Sequence, residues 1–128
     1  MRMMRPSCVL LVEDDPEVSE AITMTFRKEG HRVLTAPNGR EALDQLREGD
    51  LPSVVVLDLM MPVMGGVEFL HAARADERLR TLPVVVITSS EQELPLGAQA
   101  IVRKPADMDA LLGMVGGHCA HEERGRAP

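Results

Sequence analysis

The chain has 128 residues, 45% of them hydrophobic, which suits one ordinary domain with a single core. With 14 Lys and Arg against 20 Asp and Glu, a net charge of -6 and no Trp or Tyr, neither attraction to nucleic acid nor base stacking is expected. Cys8 and Cys119 are too few and too far apart in the sequence for a disulfide framework, so we expect a cytoplasmic protein. The apolar run 8–12 is too short to span a membrane, so we expect no membrane binding, and the charge argues against a nucleic-acid partner.

The chain alternates between short apolar runs and stretches with helical spacing. The predicted strands are, in chain order, 9–12, 32–36, 54–57, 84–87 and 100–102, and four of these runs are continuously apolar. Short, β-branched runs of this kind are typical of strands that are buried on both faces. They predict a parallel sheet that is covered by helices on both sides.

Apolar residues at helical spacing fill most of the gaps between these strands. These residues form four apolar stripes, each of which predicts a helix. In chain order the stripes are Val18, Ala21, Ile22, Thr25 and Phe26; Ala42, Leu43 and Leu46; Val67, Leu70 and Ala73; and Met108, Leu111, Leu112 and Val115. The first is followed by Gly30, the second by Gly49 and the third by Leu82-Pro83, and Asp107 is the expected N-cap of the last.

Four of the predicted strands end on polar residues, at the sheet edge where open parallel α/β sheets bind ligands. These residues are Glu13 with Asp14, then Asp58, Thr88 and Lys104. If the strands are neighbours, three carboxylates, a hydroxyl and an ammonium meet there. For Asp14 and Asp15, capping of a helix that begins at Pro16 is a rival interpretation.

The residue types in this set suit phosphoryl chemistry. Carboxylates that lie close together repel one another unless a cation neutralises them, and an all-oxygen site with open positions suits Mg²⁺. Phosphoryl transfer to Asp58 would then need charge neutralisation and positioning more than further covalent machinery. Lys104 is one of only two lysines in an arginine-rich chain, which favours a specific use for its compact ammonium.

From about Cys8 to Val115 the chain resembles a bacterial response-regulator receiver domain. The motifs that carry the resemblance are Val12-Glu13-Asp14-Asp15, the run from Asp58 to Gly66 that reads DLMMPVMGG, Thr88-Ser89 and Lys104-Pro105. The resemblance implies a doubly wound five-stranded parallel sheet with the flavodoxin-like order 2-1-3-4-5. It also divides the chain into an N-terminal extension (1–7), a receiver domain (8–115) and a flexible C-terminal tail (116–128).

The resemblance also implies a role for each site residue. Glu13 and Asp14 would be the acidic pair that holds Mg²⁺, and Asp14 would be a direct ligand together with Asp58 and the main-chain carbonyl of Met60. Asp58 would accept the phosphoryl group, which Thr88 and Lys104 would contact.

The same resemblance implies the partners. A sensor histidine kinase or a phosphotransfer protein would supply the phosphoryl group, and a downstream protein that the sequence does not identify would receive the signal. The domain would be a monomer or weak dimer, and it would catalyse only its own phosphorylation and dephosphorylation.

Two departures from the family pattern concern signalling. The position three before Lys104, usually aromatic, is Ile101, so rotation of an aromatic ring is not expected as the switch. Only residues 89–103 separate Thr88 from Lys104, about one and a half helical turns less than in the family, and Pro95 disfavours a helix. We therefore expect the fourth helix to be a turn around 90–94 or to be absent.

Three other functions compete with this interpretation. A pseudo-receiver would signal by constitutive contact, without phosphorylation, and Ile101 and the short segment favour it. A Mg²⁺-dependent phosphohydrolase would need a second Asp two residues after the nucleophile, where this chain has Met60. A flavodoxin-like cofactor carrier is disfavoured because the acidic loop 13–17 would repel a phosphate.

Overall fold

The computed structural model describes residues 8–59, 64–88, 98, 100–103, 111–113 and 115–116. Several predictions therefore fall outside the described residues: the extension 1–7, the tail beyond Gly116, the shortened helix around 90–94, the N-cap Asp107, and the site residues Met60 and Lys104. Within the part of the chain that is described, no helix is long and apolar enough to cross a membrane.

The predicted alternation of strands and helices is confirmed. The five strands are β1 (Cys8–Val12), β2 (Arg32–Ala36), β3 (Val54–Asp58), β4 (Val84–Thr88) and β5 (Ala100–Arg103). Three helices connect the first four strands: α1 (Pro16–Lys28), α2 (Gly39–Glu48) and α3 (Gly66–Ala75). Residues 111–113 and 115–116 are also helical, after β5.

The strands form one parallel sheet in the order β2-β1-β3-β4-β5, as the resemblance implies. Val12 of β1 lies opposite Leu57 of β3, and Asp58 lies opposite Ile87 of β4. The polar residues that follow β1 and end β3 and β4 therefore reach the same edge of the sheet at nearly the same level.

The core has two parts, one on each face of the sheet. On one face, α2 and α3 pack Leu46, Phe69 and Leu70 against the strands. On the other, Ile22 and Phe26 of α1 pack beside Leu111 and Val115. All five residues of β3 and of β4 are buried, which is the pattern of strands covered on both faces.

The predicted apolar stripe of α3 is wrong at one position. The side chain of Val67 is 49% exposed, whereas Phe69, Leu70 and Ala73 are buried. A helix turns by about 100° per residue, so Val67 lies roughly 110° from the centre of the buried face. In α1 the stripe is wrong at Ala21, which is exposed, while Thr23 is buried.

Two arginines fix the connection between α3 and β4. Arg74 donates from Nη1 to the main-chain carbonyls of Arg80 and Leu82, both at 2.9 Å, and burial lowers the pKa of its guanidinium. Arg78 donates to the carbonyls of Leu46 and Gly49 at the end of α2. The carboxyl end of α2 is therefore tied to this connection by charge-assisted hydrogen bonds.

Helix α1 begins with a side-chain cap, and we predict a stability effect from it. The Asp15 carboxylate accepts from the amides of Glu17 at 2.9 Å and Val18 at 3.4 Å, and Pro16 follows it at the first helical position. Asp15→Ala should lower the free energy of unfolding by about 1 kcal/mol in urea titrations, because two amides lose their acceptor. Glu20→Ala, at an exposed position of the same helix, is the control; an equal effect of both substitutions would contradict the capping role.

Candidate functional site

Two of the predicted acidic residues are positioned by the sheet itself. Glu13 directly follows β1 and its amide donates to the carbonyl of Ala36 at the end of β2, at 3.0 Å. Asp58 is the last residue of β3, and the amide of the next residue, Leu59, donates to the carbonyl of Ile87 in β4 at 3.2 Å. Main-chain hydrogen bonds to the neighbouring strands therefore fix the backbone on which both carboxylates stand.

The acidic cluster consists of Glu13, Asp14 and Asp58. Each residue offers one carboxylate oxygen, and these three oxygens all lie within 4.8 Å of one another. Glu13 is 3% exposed and Asp58 is 4% exposed, whereas Asp14 is exposed. The cluster therefore has two buried carboxylates and one at the surface, which leaves a side open to solvent.

The two neighbouring aspartates, Asp14 and Asp15, have different surroundings. The carboxylate of Asp15 caps α1, as the rival interpretation proposed, while its amide donates to Oε2 of Glu13 at 3.2 Å. Asp14 lies instead in the acidic cluster. The capping interpretation is thus confirmed for Asp15, and the clustering of Asp14 with Glu13 and Asp58 is confirmed as well.

The chemistry of this cluster favours a bound cation. Two carboxylates with oxygens about 4.8 Å apart repel each other by roughly 3–4 kcal/mol at an effective dielectric constant of 20. Three oxygen donors with an open side suit a hard divalent ion that keeps some of its water and can also bind a phosphate oxygen. The donor set therefore fits Mg²⁺.

Of the remaining predicted site residues, the structure describes Thr88, which lies on the neighbouring strand β4. Thr88 ends β4, is fully buried and lies opposite Arg103, the last residue of β5. Thr88 therefore shares the sheet edge with the acidic cluster, one position beyond the level of Asp58. Lys104 directly follows Arg103 in the sequence.

Sequence reasoning missed the glycines that support the segment after Asp58. The amide of Gly66 donates to the carbonyl of Leu59 at 3.1 Å, and a Cβ on Gly66 would lie 2.8 Å from the Cα of Leu59 and 3.0 Å from the carbonyl oxygen of Asp58. The amide of Gly39 donates to the carbonyl of Met64 at 3.3 Å. In the sequence, the Gly65-Gly66 pair indicated that two stretches of main chain come close together at this point. Gly39 had no such signal, because a single glycine before a helical stripe is typical of a helix start.

Removing one charge from the acidic cluster should stabilise the fold when divalent cations are chelated. We predict that Asp58→Asn raises the free energy of unfolding by on the order of 1–3 kcal/mol in EDTA, because the amide does not repel Glu13 and Asp14. Asp44→Asn, at an exposed position of α2, is the matched control and should change stability by less than about 0.5 kcal/mol. Urea titration of the three proteins measures the difference, and an Asp58→Asn variant less stable than the native chain would contradict the repulsion.

The sequence matches a known family over almost its whole described length. The family model "Response regulator receiver domain" matches residues 9–116. The response regulator Rre1 of Synechocystis sp. is 37% identical over 120 residues, which cover 88% of this chain and 52% of Rre1. The protein PilH of Pseudomonas aeruginosa is 31% identical over 110 residues, which cover 81% of this chain and 90% of PilH. The chain thus spans about half the length of Rre1 and most of the length of PilH.

Solved structures give the same result for the fold. The chemotaxis response regulator CheY4 of Vibrio cholerae superimposes with a TM-score of 0.80 at 28% identity, covering 89% of this chain and 99% of CheY4. The phosphorylated cyanobacterial phytochrome response regulator RcpA gives a TM-score of 0.75 at 28% identity, and the match covers 88% of this chain and 91% of RcpA. With its family match, parallel sheet and acidic cluster, the chain belongs to the response-regulator receiver domains, which are phosphoacceptor modules of two-component signalling rather than enzymes.

Proposed function

We propose that Asp58 accepts a phosphoryl group in a Mg²⁺-dependent reaction. The donor is the phosphohistidine of a sensor histidine kinase or of a phosphotransfer protein, and the phosphorylated domain signals through contacts with a downstream protein. The observation that carries the proposal is the acidic cluster, whose three carboxylate oxygens lie within 4.8 Å of one another at the carboxyl edge of the sheet. Membership of the response-regulator family supports a histidine kinase as the partner.

In the proposed reaction an oxygen of Asp58 attacks the phosphorus of the phosphohistidine. A P–O bond forms, the P–N bond to the imidazole breaks, and the imidazole nitrogen takes up a proton. Asp14, Asp58 and the main-chain carbonyl of Met60 would hold Mg²⁺, with Glu13 as the second member of the acidic pair. Bound there, Mg²⁺ supplies positive charge against the incoming phosphoryl oxygens.

The other residues of this chain would contact the phosphoryl group. Thr88 would donate its hydroxyl hydrogen to a phosphoryl oxygen, and Lys104 would pair its ammonium with another. The fully buried position of Thr88 at the end of β4 supports its role, because a buried hydroxyl has few rotamers and little competing water. The position of Lys104, directly after the last residue of β5, supports the second role.

A receiver that can be phosphorylated fits the residues better than a pseudo-receiver. A module that signals only by constitutive contact has no use for three mutually repelling carboxylates, two of them buried. RcpA, which shares the fold, was crystallised in a phosphorylated form. Met60 stands where a phosphohydrolase would carry its second Asp, so phosphate-ester turnover is not supported.

The proposal includes the setting of the domain. It is cytoplasmic, extends over residues 8–115 between a short extension and a tail, and is a monomer or weak dimer. Its output does not use an aromatic switch, because Ile101, whose backbone in β5 lies opposite Val86, stands at that position. The shortened segment between β4 and β5 would change the surface that a partner contacts.

Incubation with acetyl phosphate tests the phosphoacceptor directly. We expect the native chain to gain the mass of one phosphoryl group with Mg²⁺ and to gain none in EDTA, because the carboxylates then repel the donor. Asp58→Ala should stay unmodified, as peptide mass spectrometry would show. A native chain that stays unmodified with Mg²⁺ would favour the pseudo-receiver instead.

The neighbouring aspartates provide a matched pair for testing the metal site. Asp14→Ala should weaken Mg²⁺ binding at least about tenfold in isothermal titration calorimetry, because it removes a ligand. It should cause little loss of stability in EDTA, because it also removes a charge that repels Glu13 and Asp58. Asp15→Ala should lower stability through the lost cap and leave the Mg²⁺ dissociation constant within about twofold. The reverse pattern would assign the metal ligand to Asp15 and contradict the proposed site.

A further inference from the structure

We propose that Gly39, the first residue of α2, is a positioning residue for the segment that links Asp58 to α3. The contact that carries the proposal is the close approach of Gly39 to Met64. The inference rests on the proposed function, because this segment contains Met60, whose carbonyl is the third proposed ligand of Mg²⁺.

The two ends of the segment 59–66 are fixed to each other and to the sheet. The amide of Leu59 donates to Ile87 in β4 at 3.2 Å, and the carbonyl of Leu59 accepts from the amide of Gly66 at 3.1 Å. The segment is therefore anchored at both ends by main-chain hydrogen bonds. A contact between a residue within the segment and the rest of the domain would add a further anchor.

Met64 provides such a contact, in an unusual conformation. Its φ angle is 49°, in the left-handed region that residues other than glycine rarely adopt. Its carbonyl accepts the amide of Gly39 at 3.3 Å, and its side chain packs against the core that α2 and α3 share. These two contacts favour the left-handed conformation of Met64 over the extended or helical one.

Only glycine fits at position 39 of this structure. A Cβ there would lie 2.7 Å from the carbonyl oxygen of Met64, 3.0 Å from the Cγ of Met64 and 3.2 Å from the Cβ of Phe69. The first of these distances is shorter than van der Waals contact allows, and it involves main-chain oxygen rather than the end of a flexible side chain. Any larger residue at position 39 must therefore displace the loop or the helix.

Contacts at both ends and along its buried face hold the helix in place. Asn38 caps it, accepting from the amide of Glu41 at 2.9 Å. Leu43 and Leu46 are buried in the core, and Arg78 binds the carbonyls at the other end. A clash at Gly39 should therefore move the loop, and a displaced loop should bind Mg²⁺ more weakly, as happens when supporting contacts around a metal site are lost.

The variant that tests the proposal is Gly39→Ala, compared with Gly49→Ala. At Gly49, at the other end of α2, the nearest atom to an added Cβ is the carbonyl oxygen of Gln45, at an ordinary 3.7 Å. Titration calorimetry should show a Mg²⁺ dissociation constant raised about tenfold in Gly39→Ala and unchanged within about twofold in Gly49→Ala. The phosphorylation rate with acetyl phosphate should fall in Gly39→Ala at low Mg²⁺ and recover at saturating Mg²⁺.

A second substitution separates positioning from general damage to α2. In Gly39→Ala with Met64→Gly, the Cγ contact is gone and the glycine main chain can shift away from the added Cβ at less cost, so Mg²⁺ affinity should recover in part, while the lost packing of the Met64 side chain prevents full recovery. Native affinity in Gly39→Ala, equal losses in Gly39→Ala and Gly49→Ala, or a double variant as weak as Gly39→Ala would each overturn the proposal.

Amide spectra of the native chain keep the proposal falsifiable even if Gly39→Ala does not fold. Adding Mg²⁺ to ¹⁵N-labelled protein should shift the Gly39 amide resonance more than that of Gly49. A Gly39 resonance that stays fixed while those of Asp14 and Asp58 move would overturn it. If the native chain neither binds Mg²⁺ nor accepts a phosphoryl group, the proposed function fails as well. If it does both and Gly39→Ala matches it, only the role of Gly39 is wrong.

Discussion

The mutual repulsion of three carboxylates at one edge of the sheet is the constraint on which the rest of the structure depends. Glu13, Asp14 and Asp58 bring oxygens within 4.8 Å of one another, and two of the three side chains are almost fully buried. Such an arrangement destabilises the fold unless positive charge compensates it. The same unfavourable energy favours the binding of a divalent cation, so in our proposal the stability cost and the function have one physical origin.

The fold keeps these carboxylates together despite their repulsion by fixing the backbone on which the charges stand. Strands β3 and β4 are buried along their whole length, and the register sets Glu13 and Asp58 level with each other on neighbouring strands. Helices on both faces complete two apolar cores, Arg74 ties the connection after α3 to that helix, and Arg78 ties it to the end of α2. Carboxylates on so rigid a frame cannot move apart, so positive charge from a bound ion or from a neighbouring side chain would relieve the repulsion.

The sequence predicted the architecture well because continuous apolar runs and helical stripes report directly on burial. It predicted the convergence of Glu13, Asp14 and Asp58 because parallel strands end at one edge. Position at a strand end could not separate Asp14 from Asp15, since that distinction depends on which carboxylate reaches the first turn of α1, although the family resemblance assigned Asp14 to the Mg²⁺ site. The stripe was wrong at Val67 because the buried face of α3 is centred on Phe69, Leu70 and Ala73, which helical spacing alone did not determine. The contact of Gly39 with Met64 was not predicted because it joins residues distant in the sequence.

These features assign different parts of the chain to chemistry and to signal output. Glu13 and Asp14 after β1 form the acidic cluster together with Asp58 at the end of β3, while Ile101 on β5 stands where the family resemblance leads us to expect an aromatic residue. In our proposal, α2 supports the segment after Asp58 through the contact of Gly39 with Met64, on the other side of the sheet from the helical residues 111–113. We therefore expect that the chemistry can be retained while the route of the signal differs.

A crystal structure of the native chain with Mg²⁺ and beryllofluoride tests the central claim most directly. We predict a beryllofluoride group on the Asp58 carboxylate, Mg²⁺ coordinated by Asp14, Asp58 and the Met60 carbonyl, and fluorine atoms within hydrogen-bond distance of Thr88 and Lys104. An unmodified Asp58, or a Mg²⁺ ion bound away from Asp14 and Asp58, would contradict the claim that the three carboxylates form a cation-dependent phosphoacceptor site.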